Sequence, residues 1–257
     1  MTTDKTTDKA VDKDKDKDRD RDKAVDMTTV LRDGARKIVV INAGVSEESS
    51  TRRLAARIAQ HSVDALGAAG IPATVTMLDL GPLAIETTRS LVSGFPTEAV
   101  SQAMAALADA DAVIAATPVY KAGISGLFKS FADLIDNDLL IAVPVILAAT
   151  GGTARHAMVA DDQLRPLFAF LRALPVPTSL YAAPEDWGSP ELGRRIARAA
   201  GELAALLRTD APRRMADDNW TGYQHQFAGQ ANRAAHTAAD VDFTTDLMRL
   251  ATGGSAA

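Results

Sequence analysis

Apolar residues in this chain gather into short unbroken runs, separated by longer stretches in which they recur every three or four positions. The runs at 38–41, 112–116 and 143–149 contain no charged or hydroxyl side chain. Continuous apolar runs of that length predict strands buried on both faces, as in a parallel sheet. Residues 73–79 alternate instead, which predicts a strand nearer a sheet edge, and 179–182 forms a further short run. Pro144 falls at a strand start, where a missing N–H is tolerated.

Between these runs the period becomes helical. Over 50–69, Leu54, Ile58, Ala59, Val63 and Leu66 share one face. Further helices are predicted over 97–108, 125–135, 162–171 and 190–208. Five β–α units in this order predict an α/β fold: a flavodoxin-like, doubly wound five-stranded parallel sheet, order 2-1-3-4-5, with helices on both faces.

The ends are of a different character. Residues 1–26 alternate Asp with Lys and Arg and carry almost no apolar side chains. Such a tract cannot bury enough surface to offset its ordering entropy. Residues 1–35 are therefore expected to be a disordered charged tail, and Met27-Thr-Thr, echoing Met1-Thr-Thr, marks a second candidate start. The domain is expected over 36–209. Residues 210–257 read as a partly disordered extension, in which Phe243, Leu247, Met248 and Leu250 predict one short helix.

Composition narrows the function. The hydrophobic share is 47% and the net charge −5. Nucleic-acid binding calls for a basic surface, and in the tail the acids balance the bases. No apolar run reaches the roughly 18 residues of a membrane span, and the N-terminus has no apolar signal region. Zero cysteines remove disulfides, thiolate metal sites and a Cys nucleophile. His61, His225 and His236 lack metal-ligand spacing, so no metal is expected. Gly-x-Ser-x-Gly is absent, and Glu47-Glu48 and Asp161-Asp162 read as exposed loop acids. The expectation is a soluble, cytoplasmic protein.

Ligands of an open parallel sheet sit beyond the carboxyl ends of its strands, where three loops carry candidate chemistry. The first, 42–53, offers Ser46, Ser49, Ser50 and Thr51 as hydroxyl donors where a helix begins. Arg52 and Arg53 oppose the dipole of that helix. A bound phosphate would remove the conflict, although Ser/Thr capping beside solvated arginines uses the same residues. The Gly-rich dinucleotide fingerprint and the Walker pattern are both absent. The second loop is Thr117-Pro-Val-Tyr-Lys-Ala-Gly-Ile-Ser-Gly126, in which Pro118 fixes φ and the glycines permit close backbone approach. The third, Thr150-Gly-Gly-Thr-Ala-Arg-His156, places paired glycines after a buried strand. That arrangement lets backbone N–H groups reach a flat polar ligand edge, or serves as a plain strand-to-helix turn.

The second and third loops, with Asp161 and Arg165-Pro166, resemble the NAD(P)H-dependent FMN reductases. The likeness covers roughly 37–208 and extends to the branch that feeds reduced FMN to luciferase-like two-component monooxygenases. The first loop is similar to the flavodoxin-type phosphate loop. The resemblance implies FMN and NAD(P)H as cofactors, with hydride transfer at flavin N5 and no catalytic side chain. Ser46, Ser49, Ser50, Thr51 and Arg52 would hold the phosphate. Thr117, Pro118, Val119 and Tyr120 would follow the flavin edge, with Lys121 at the site mouth, and Thr150, Gly151 and Gly152 would meet the ring. It also implies a homodimer or homotetramer and a monooxygenase partner. An alkanesulfonate-linked branch carries Tyr before the Ser-Gly pair, where this chain has Ile124. An FMN-containing quinone or azo reductase, or a flavodoxin-type electron carrier, would use the same site.

Overall fold

The structure, a computed structural model, describes residues 34–220. The expected tail over most of 1–35 and the helix expected at 243–251 lie outside the described residues.

Strands β1 (Arg36–Asn42), β2 (Ala73–Asp79), β3 (Ala112–Tyr120) and β5 (Pro144–Thr150) form a parallel sheet in the order β2-β1-β3-β5. All seven residues of β5 and Ala112–Pro118 of β3 are buried, whereas β2 keeps three exposed positions. The unbroken apolar runs are thus the central strands and the alternating run is the edge. Alternate side chains supply two cores. Ile38, Val40, Ile114 and Ile146 pack with Leu54 and Ile58 of α1 (Ser50–Ala68) and Ile196 and Leu203 of α6 (Pro190–Leu207). Val39, Ile41, Val113 and Val145 pack on the other face with Leu107 of α3 (Glu98–Ala108), Phe128 and Phe131 of α4 (Gly126–Ala132), and Phe168 of α5 (Arg165–Phe170).

The doubly wound 2-1-3-4-5 path holds, but seven strand segments replace the expected five. A two-residue strand, β4 (Gly123–Ile124), folds back on β3 as a hairpin. The fifth position is split into β6 (Leu174–Pro175), paired with the start of β5, and β7 (Leu180–Ala182), paired with its end. Pro175 and Pro177 lack the N–H that a continuous ladder needs. Side chains satisfy the gap instead. Arg165 donates to the Val176 and Pro177 carbonyls at 3.1 and 3.3 Å, and Glu202 accepts from the Thr178 amide at 2.8 Å.

Two helices escape the sequence pattern. Helix α2 (Leu80–Ser93) buries only Leu80, Thr87 and Ser90 and leaves Ile85 and Val92 exposed, so its apolar face is blurred. It ends at Gly94, whose φ of 75° suits glycine. Helix α7 (Ala211–Trp220) lies at the start of the polar extension and carries an Arg213–Asp217 pair. The helix expected over 162–171 begins instead with a π-helical turn, Ala160–Leu164, that runs into α5. Among the described residues no helix is long and apolar enough to cross a membrane.

Candidate active site

Adjacent β1, β3 and β5 deliver their three carboxyl-end loops to one edge of the sheet, and β7 adds a fourth. In the first loop Asn42, fully buried, organises the turn. Its side chain accepts from the Gly44 amide at 3.0 Å and donates to Asp79 at 2.8 Å. A Cβ at Gly44 would overlap Ser49 Oγ, so only glycine lets the chain pass so close to the start of α1.

The hydroxyls divide into two groups. Ser49 is buried and caps α1, accepting from the Arg52 amide at 3.1 Å. Thr51 is buried too, and its Oγ1 lies 2.6 Å from Oγ1 of buried Thr150, so two candidate ligand groups from different loops bond to each other. Ser46 and Ser50 remain exposed. The amides of Ser50 and Thr51 have no acceptor among the described residues, which leaves a helix N-terminus with donors to offer. Arg52 is exposed but pairs with Asp79 at 3.1 Å. An exposed pair contributes about 0–1 kcal/mol, less than the roughly 1.5–3 kcal/mol of a hydrogen bond to a charged group. An incoming phosphate can therefore take Arg52 from Asp79. Arg53 stacks over Trp187, 4.5 Å from the ring centroid, which accounts for it without a ligand.

In the second loop Thr117 is fully buried and its Oγ1 accepts from the Ser125 amide at 3.1 Å. Pro118 is buried in the ladder opposite Thr150. Both hold the loop rather than face outward. Val119 is half-buried against a small cluster containing Tyr181, and Tyr120 is 54% exposed. Lys121 and Ala122 form the hairpin tip with φ of 51° and 63°. Two left-handed residues are what a two-residue hairpin turn demands, and for residues with a Cβ each costs about 1–2 kcal/mol. Lys121 is exposed at that tip.

The third loop turns on two unlike glycines. A Cβ at Gly151 would overlap the Tyr181 hydroxyl, whereas one at Gly152 would meet nothing within 4 Å. Neither has a positive φ; what distinguishes them is space. Tyr181, buried in β7, donates to the Thr153 carbonyl at 2.5 Å and fixes the loop from behind. Burial, then nearby Glu185 and Asp186, pushes its phenol pKa above 10.0. The Gly152 and Thr153 amides have no acceptor among the described residues.

The sequence expectation for Asp161 is corrected. It is half-buried, accepting from Arg165 Nε at 2.8 Å and Ser179 Oγ at 2.6 Å. Asn42, Asp79, Gln163 and Tyr181 were not singled out from sequence. A polar residue closing an apolar strand, as Asn42 and Asp79 do, was the available signal for two of them. Among the described residues no three His, Asp or Glu side chains cluster to hold a metal.

Comparison with known proteins bears on this geometry. The family described as NADPH-dependent FMN reductase matches residues 36–188. The chain belongs to that family. The reductase is 36% identical over 180 residues to the NADH-dependent FMN reductase SfnE of Pseudomonas putida, covering 68% of this chain and 89% of the relative. It is also 36% identical over 176 residues to the FMN reductase (NADPH) of Pseudomonas aeruginosa, covering 66% and 91%. An oxidoreductase structure from Corynebacterium diphtheriae superimposes with a TM-score of 0.66 at 43% identity, covering 67% of this chain and 97% of that one. The reductase is thus an oxidoreductase that reduces FMN with NAD(P)H.

Proposed function

We propose that the reductase seats FMN across the three loops, reduces it with NADH or NADPH, and passes it to a luciferase-like monooxygenase. The observation that carries this reading is the α1 N-terminus. Its unbonded Ser50 and Thr51 amides lie beside the exposed Ser46 and Ser50 hydroxyls, with Arg52 in reach through a weak surface pair. These residues fit a phosphate, and the open face at Gly152 fits a flat ring. Bound FMN supplies a ring nitrogen that accepts hydride.

The chain's own groups then have defined tasks. Ser46, Ser50, Arg52 and the two amides bind the phosphate. The backbone of Pro118–Tyr120 and of Thr150–Gly152 orients the ring. The Gly152 and Thr153 amides donate toward it, where fixed dipoles favour negative charge. Ser49, Thr51 and Thr117 serve as supports. We further propose a homodimer or homotetramer, because Ile85, Val92 and Phe95 at α2 are 71%, 84% and 77% exposed. A grouping of that kind marks a surface to be covered, and size-exclusion chromatography with light scattering reads the result directly.

The test of the site compares FMN with riboflavin. Ser50→Ala with Arg52→Ala should raise the Kd for FMN by roughly 10- to 100-fold and leave riboflavin nearly unchanged. Equal losses for both flavins would show that the two residues only cap the helix. NAD(P)H oxidation should require added FMN and ignore EDTA; an activity abolished by chelation and restored by a divalent metal would overturn the assignment.

A further inference from the structure

We infer that Gln163 is a positioning residue for the pyridine nucleotide, acting through the tip of the β3–β4 hairpin. This rests on the reading that the three loops form the reductase site. Gln163 lies within the π-helical turn Ala160–Leu164, and single π turns inside helices recur at functional sites because the extra residue re-aims the side chains around it. Here two neighbours on that turn are bonded in different directions. Asp161 accepts from Arg165 and Ser179, tying the turn to the broken fifth strand. The Gln163 amide reaches the hairpin, accepting from the Ile124 amide at 3.0 Å and donating to the Ala122 carbonyl at 3.3 Å.

The hairpin needs that support only at its tip. Its base is held without Gln163: Thr117 bonds to the Ser125 amide, Pro118 lies opposite Thr150, and Val119 packs beside Tyr181. The tip has two residues in left-handed backbone, neither of them glycine, so the sequence does not favour this turn by itself. The carboxamide matches the Ile124 N–H of the short strand and the Ala122 C=O of the tip, as a neighbouring strand would. Gly123 makes room for it, since a Cβ there would stand 3.2 Å from Gln163 Oε1.

The division between base and tip sets the functional consequence. The base adjoins Thr150 and Gly151, where the flavin ring is expected, whereas Lys121 and Ala122 at the tip face solvent. A loosened tip therefore disturbs the outer reactant, an anionic dinucleotide, more than the flavin beneath. Gln163→Glu refines this, because a protonated carboxyl can still donate to Ala122 O while a carboxylate can only repel it.

The experiment measures steady-state kinetics, FMN titration and trypsin cleavage after Lys121 for the wild type, Gln163→Ala and Gln163→Glu in the full chain. For Gln163→Ala we expect the KM for NAD(P)H to rise about 2- to 12-fold, as a lost hydrogen bond of ordinary strength implies. The Kd for FMN should change less than about twofold on the same scale, and cleavage after Lys121 should accelerate. Gln163→Glu should show a KM that falls toward the wild-type value as pH drops through the ordinary glutamate range, from about 6 to about 4, a limb absent from the wild type. Unchanged KM and unchanged cleavage in Gln163→Ala overturn the inference, as does a loss of FMN affinity equal to the loss for NAD(P)H. A wild type that fails to oxidise NAD(P)H with FMN sinks the site reading instead, and the cleavage rates then judge the hairpin clamp separately.

Discussion

The Thr51–Thr150 bond offers a sharp test, because the sequence places both threonines against the ligand and the structure bonds their hydroxyls to each other. Both residues are at most 2% exposed and their Oγ1 atoms are 2.6 Å apart. Thr51→Val keeps the shape and removes one partner, leaving the Thr150 hydroxyl buried without a bond. That orphan costs about 1–3 kcal/mol, and Thr150→Val should cost a similar amount for the mirror-image reason. Removing both hydroxyls removes the orphan, so the double variant should lie close to the wild type. The cycle should then give a coupling of about 2–6 kcal/mol, the sum of the two single costs, as expected for residues in direct contact. Urea denaturation reads this as a lower midpoint at unchanged slope for each single variant. The corresponding loss in Tm is about 2–4 °C per kcal/mol for a domain of this size. FMN affinity should follow the same order, weaker in each single variant and recovered in the double. Additive destabilisation, or FMN binding lost progressively from single to double variant, would show that the hydroxyls face the ligand and that the bond is incidental.

Four further outcomes are expected. Gly151→Ala should lower stability by about 1–3 kcal/mol, the usual cost of overpacking, because its Cβ runs into the Tyr181 hydroxyl. Gly152→Ala, with no atom within 4 Å, should keep its Tm and lose FMN-dependent turnover; normal turnover would reduce the loop to a connector. Gly201→Ala, in α6 with nothing near its Cβ, should gain about 0.5–1 kcal/mol from helix propensity, and a lower Tm would contradict that. Tyr181→Phe tests the raised phenol pKa. The folded state holds this proton after the unfolded chain releases it, so the tyrosine's contribution is complete below pH 10.0 and falls as pH rises through the folded value. The wild type should therefore lose more stability than Tyr181→Phe between pH 9.5 and 11, and parallel losses would show that the phenol is unperturbed.

How much of this was legible depends on whether a feature is written in local pattern or in the meeting of distant segments. The sequence alone determined the central strands, α1, α3 and α6, because a buried parallel strand must be continuously apolar and a helix packed on it must repeat its apolar face. It also pointed to the three loops at the carboxyl edge of the sheet, since glycines, Pro118 and clustered hydroxyls at strand ends are local signatures. The conditions that shaped the rest lie elsewhere in the chain. Helix α2 carried too weak a face to be read, and the split fifth strand follows from Pro175 and Pro177 together with an arginine from α5 that satisfies the exposed carbonyls. The same holds within the site. Whether a threonine hydroxyl points at a ligand or at another threonine depends on a partner 99 residues away. Whether Arg52 is free depends on Asp79, and whether a glycine leaves open space or clears a tyrosine depends on β7. Hydrogen bonds and steric contacts act over a few ångströms in space rather than along the chain. The sequence therefore named the loops, and only their packing decided which residues in them face outward and which hold the others in place.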